Sequence, residues 1–148
     1  TSEAKLQLAS LYSAETAFQS DYNTFGVCLD YMGYNPSVES ATRYYVTGFH
    51  SGTSGGWSNP SGVSIPGSCA TADGQDVTRF QAGKAAIGAA LTDFSDVGDG
   101  SVGDADATSM GQNSFQAAAE GKINTENGNS DVWTITDTKV VTHTSVGY

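Results

Sequence analysis

Residues 2–25 read SEAKLQLASLYSAETAFQSDYNTF, a run with no Gly and no Pro. Ala4, Leu8, Leu11, Phe18 and Tyr22 recur at spacings of three, four and seven, which puts them on one stripe of an α-helix. Glu15 is the one charged interruption of that stripe. Burial of Leu8, Leu11, Phe18 and Tyr22, at about 1.5–3 kcal/mol each, is enough to fix such a helix onto a sheet. Intrinsic propensity alone is not. The pattern starts in mid-period at Thr1, so the helix is expected to continue upstream of the chain.

The rest of the helix surface is less polar than a solvated helix normally shows. Ser10, Ser13, Gln19 and Asp21 lie mostly off the apolar stripe, but Leu6, Ala14 and Ala17 lie there too. A second contact surface is one reading, and an ordinary surface helix with scattered apolar residues is the other. A carboxylate at Glu15 must be solvated, hydrogen-bonded or paired. The expectation is that it reaches the helix edge or a local partner such as Arg43, ahead of any role in assembly.

At 148 residues the chain fits one domain, and its 18 glycines point to much turn and loop. Sixteen acidic residues against six basic ones give a net charge of −10, which opposes direct binding to nucleic acid or anionic lipid. No stretch approaches the ~20 apolar residues of a membrane span and no signal peptide is visible, so the chain as given reads as soluble. Cys28 and Cys69 suit one disulfide in an exported, loop-rich protein, the alternative being two unlinked thiols. By the chain-entropy model such a link would stabilise the fold by about 4 kcal/mol.

Beyond the helix, residues 26–36 are punctuated by Gly33 and Pro36 and read as a connecting loop, with Tyr31 and Tyr34 folding back onto the helix base. Thr42–Phe49, rich in aromatic and β-branched residues, is the first strand. Residues 50–72 read as irregular loop, 76–94 as a broken helix or bent strand, and 95–112 as an acidic, exposed loop. Phe115 to Ile123 alternates apolar with largely polar residues, as a half-buried strand does. Small residues at the middle of its apolar face leave room for a helix to lie across it. Asn127 and Gly128 supply a turn, and Asp131–Thr136 forms the next strand. A two-residue loop at Asp137 and Thr138 would set Ile135 opposite Val140 and Trp133 opposite Thr142. The fold class expected is therefore α+β: one amphipathic helix on an antiparallel sheet of about four strands, with long irregular loops.

Four candidate sites weaken on inspection. Gly52, Ser54 and Gly56 fit a nucleophile elbow, but Trp57, Asn59 and Pro60 follow where a helix is needed, and His50 and His143 are the only histidines. Gly98, Gly100 and Gly103 fit a phosphate-cradling pattern, yet Asp93, Asp96, Asp99 and Asp104 would repel a phosphate. The same acids do not follow EF-hand spacing, so a solvated charge run is preferred to a calcium site. His50 and His143 lack the partner spacing of a zinc site. No catalytic residue, metal or cofactor is expected.

The order of features is nonetheless distinctive: SEAK (2–5), LYSAETAF (11–18), YNTF (22–25), GYNP (33–36), RYYVTGF (43–49), FQAAAEGKI (115–123) and DVWTITDTKVV (131–141). This set resembles the globular head of type IVa major pilins, especially those of gliding and predatory Gram-negative bacteria, over residues 2–49 and 113–141. The resemblance implies a ladle whose long helix has an upstream, very hydrophobic half that anchors the subunit in the inner membrane and then packs in the fibre core. This chain would lack that half. Ala4, Leu8, Leu11, Phe18 and Tyr22 would pack on the sheet near Trp133 and Ile135, with strands at residues 115–123, 131–136 and 139–143. The other helix face would meet neighbouring subunits.

The function implied is a self-assembling, extracellular pilus subunit handled by envelope machinery, serving motility, adhesion or cell contact, with membrane contact only through the missing segment. A Cys28–Cys69 link departs from the C-terminal disulfide loop of many pilins, so receptor contact by that loop does not carry over. The nearest alternative is a pseudopilin of a type II secretion system, which often carries a calcium site. A secreted ligand-binding module or hydrolase is the alternative of another class, and the convergent polar groups it needs are not visible.

Overall fold

The computed structural model describes residues 2–22, 25, 29, 42–50, 79–80, 108–110, 113–122 and 130–145. Helix α1 spans Ser2–Tyr22, and the strands are β1 (Tyr45–Gly48), β2 (Arg79–Phe80), β3 (Ser109–Met110), β4 (Phe115–Gly121), β5 (Asp131–Thr136) and β6 (Val141–Ser145). Among the described residues the sheet order is β2-β1-β4-β5-β6, with β3 also on β4 and every pairing antiparallel. The architecture is α+β: one helix packed against a four-strand antiparallel sheet, β1-β4-β5-β6, which two short ladders extend.

Alternation along the strands decides which side chains meet the helix. Phe115, Ala117 and Ala119 of β4, Tyr45 of β1 and Ile135 of β5 form one buried cluster with Ala4, Leu8 and Leu11 of α1, together with Leu29 and Phe49. Phe115 is its aromatic centre. Phe25 and Phe49 meet its ring edge-on at 4.9 and 6.4 Å, and Tyr12 lies at 6.4 Å, geometries that suit the ring quadrupole. The small residues in the middle of β4 allow the close helix approach. At Gly121 an added Cβ would stand 2.9 Å from the carbonyl oxygen of Tyr44 and 3.1 Å from the Tyr45 ring. Only glycine fits there.

Strand β4 departs from the half-buried strand its alternation predicts. Ala118 and Glu120, on the face away from the helix, are fully buried, and Ala118 joins Val46 and Val132 in a second apolar cluster. Glu120 is accommodated because Ser130 Oγ donates to its Oε1 at 2.9 Å. Strand β1 begins at Tyr45, three residues later than the composition of its segment indicates. The acidic stretch 95–112 is not loop throughout, since β3 lies in it and Thr108 is buried.

The β5–β6 hairpin corrects the expected register by one residue. Ile135 pairs with Val141, Thr134 with Thr142 and Trp133 with His143. Lys139 N–H donates to Thr136 O at 2.9 Å, Thr136 N–H donates to Val140 O at 3.2 Å, and Lys139 has φ 63°. This is a three-residue loop, a tight turn followed by a left-handed residue, rather than a two-residue one. Because Lys139 takes a conformation usually left to Gly or Asn, the sequence gives no hint of it. A bulge on β6 between Trp133's partner and Val132's partner then absorbs Thr144, whose Oγ1 donates to Val132 O at 3.2 Å.

Candidate functional site

Three side-chain contacts hold α1 in place, beside a polar hub that ties the strands to one another. Both carboxylate oxygens of Glu3 accept from the amide of Tyr44, at 3.0 and 3.3 Å, which ties the first turn of the helix to the start of β1. On the other side Lys5 Nζ sits 4.8 Å from the centre of the Trp133 ring, and Lys139 Nζ lies 5.7 Å from the Tyr12 ring. The helix is thereby held from β1 through β5 to the hairpin loop.

The hub is Asp131, fully buried at the start of β5. Its Oδ2 accepts from Tyr45 OH at 2.5 Å and from Trp133 Nε1 at 3.0 Å, while its Oδ1 hydrogen-bonds with His143 Nε2. Trp133 and His143 stack face to face, 4.0 Å apart with 5° between planes. One carboxylate therefore collects donors from β1, β5 and β6, and the Trp133 ring is held between His143 and Lys5. Charge-assisted bonds of this kind fix geometry as well as adding energy. Sequence reasoning missed the hub: Tyr45 and Asp131 are 86 positions apart, and His143 drew notice only as an unsuitable triad base or zinc ligand. An available signal was Asp131 two residues before Trp133 on a strand, hence on the same face.

The predicted packing residues fall as follows. Ala4, Leu8 and Leu11 are fully buried in the main cluster, Phe18 is buried, Ile135 belongs to the same cluster, and Trp133 is partly buried against it. The side chain of Tyr22 lies outside the described residues. Glu15 is completely buried and does not reach the helix edge. Arg43 is not its partner: the next residue is tied to Glu3, 12 positions and about 18 Å from Glu15 along the helix. Cys28, Cys69, Tyr31 and Tyr34, the Ser54 motif, the Gly98–Gly103 motif and the acidic residues 99–106 also lie outside the described residues. Among the described residues no group of three or more His, Cys, Asp or Glu side chains is placed to hold a metal, and no helix is long and apolar enough to cross a membrane.

What α1 presents outward is nearly uncharged. Leu6, Ser10, Ser13, Ala17 and Ser20 form an exposed line at spacings of three and four, with Leu6 68% exposed. Thr16 Oγ1 donates to Tyr12 O at 2.8 Å and Ser13 Oγ to Ala9 O at 3.1 Å, so these hydroxyls are already satisfied by their own helix. These two hydroxyls can be covered without stranding a donor.

The residues thus define a helix-on-sheet α+β unit with one docked helix face and one bare one. Comparison with protein-family models, with curated proteins and with solved structures finds no match to this chain.

Proposed function

We propose that this chain is the head of a structural subunit of a type IV pilus-like fibre, assembling with copies of itself through the outer face of α1. The observation that carries this reading is the bare helix face, with Leu6 exposed on a line of small, uncharged residues, in a chain carrying a formal net charge of −10. A protein so acidic repels copies of itself at close range, and an uncharged strip is where two copies approach at least electrostatic cost. The docked face suits the same role, because the Glu3 anchor and the buried stripe of Ala4, Leu8 and Leu11 fasten the helix to the head.

On this reading the protein is extracellular, catalyses no reaction and needs no cofactor. Its partners are further copies, other pilus subunits and the envelope machinery that adds and removes them. The test is to shear surface fibres from producing cells and probe them with antibody to this chain. The reading expects the full-length product along the fibres, and loss of the fibres on deletion. A product found only as dispersed protein in the medium, with fibres intact after deletion, contradicts it.

A further inference from the structure

The two flanks of α1, on either side of the bare line through Leu6, carry opposite charge. Glu3 reaches toward β1 and Lys5 toward β5, so these two residues mark the two flanks. Asp21 follows Glu3 by 18 positions, about five full turns, and therefore stands on Glu3's side. Tyr12 follows Lys5 by seven positions, about two turns, and Lys139 Nζ comes over its ring. Lys5, Lys139 and Asp21 are all exposed, and Asp21 is the one exposed acid among the described residues. Neither lysine has an ion-pair partner among the described residues, in a chain where acids outnumber bases sixteen to six. Asp137, two positions before Lys139 in the hairpin turn, is only partly exposed and makes no ion pair with it.

We propose that these flanks bind each other across copies, the Asp21 carboxylate of one subunit seating against the Lys5 and Lys139 ammonium groups of the next. The inference rests on the reading above that the chain polymerises, and it adds which side chains meet. A second copy is the occupant because one helix bears both halves of the contact. Copies set side by side with parallel helices bring the acidic flank of one to the basic flank of the other. At 1.5 Å per residue, Asp21 lies about 14 Å beyond Tyr12 and about 24 Å beyond Lys5 along the axis. A neighbour shifted by roughly that much sets Asp21 level with the lysine pair. The contact joins two different patches, so it repeats into an open filament wherever the rotation does not close a ring.

The experiment treats sheared surface fibres of the full-length product with a water-soluble carbodiimide. The reagent forms an amide between a carboxylate and an amine in contact, and takes up the water lost to become its urea. Mass spectrometry of the digest should find Asp21 linked to Lys5 or Lys139. Within one subunit these groups lie on opposite flanks of α1, so such a link reports two copies. In cells, Lys5→Glu with Lys139→Glu should cut fibre yield about tenfold or more, because like charges then face each other across the contact. Adding Asp21→Lys to the same chain should restore the yield. Fibres that contain the chain but lack the link, or a triple variant no better than the double, overturn the flank contact and leave the fibre reading standing. Fibres without the chain overturn both. If the charge-reversed head unfolds in a thermal melt, the link in the unaltered fibres decides alone.

Discussion

Replacing Asp131 by Ala removes the single acceptor shared by Tyr45, Trp133 and His143. Tyr45 is 2% exposed, so its hydroxyl is left without water, whereas Trp133 and His143 are partly exposed and recover some hydration. A stranded buried donor costs about 1–3 kcal/mol, and loss of charge-assisted bonds to the other two adds to it. The expected destabilisation is about 3–5 kcal/mol, within the range for breaking a buried polar pair. For a chain of this size that lowers Tm by roughly 6–20 °C. Asp131→Asn separates acceptor loss from cavity formation: its amide oxygen still serves Tyr45 and Trp133 while its NH2 faces His143, so the expected cost is about 1–2 kcal/mol. Urea unfolding with unchanged slope is the assay. In a Tyr45→Phe background the Asp131→Ala penalty should shrink by at least about 1 kcal/mol. A loss below 1 kcal/mol for Asp131→Ala, or an Asn variant as damaged as the Ala variant, refutes the view that this carboxylate ties three strands together.

Two further substitutions test the backbone account. Lys139→Gly relieves a non-glycine residue held at φ 63°, and should raise stability by about 1 kcal/mol in the same urea assay, with the hairpin register preserved in cross-strand NOEs. Gly121→Ala drives a methyl against the backbone of Tyr44, which cannot rotate away, and should cost about 1–3 kcal/mol.

The helix and the four-strand antiparallel sheet were legible because both rest on local periodicity: three-four spacing through Leu11, and alternation through Phe115, Ala117 and Ala119. What stayed hidden depends on contacts remote in sequence or on unusual conformations. The hairpin register turns on Lys139 occupying a left-handed position that no residue preference announces. Glu120 looked solvent-facing because an alternating strand does not reveal that its second face is also covered. The Asp131 hub joins side chains from three strands, and Glu15 is buried although its charge argues for the helix edge. The bare outer face was half visible, as Leu6 and Ala17 off the main stripe, but only the packed structure separates exposed Leu6 from buried Leu8.

That pair gives the most direct measurement of the central claim, that one face of α1 builds the head and the opposite face builds the fibre. Leu6→Glu should leave unfolding free energy within about 0.5 kcal/mol of the unaltered chain yet abolish incorporation of the full-length product into sheared surface fibres. Leu8→Ala, on the buried side, should cost about 2–5 kcal/mol. Fibres that assemble normally from Leu6→Glu subunits, or a head destabilised as much by Leu6→Glu as by Leu8→Ala, would contradict the account.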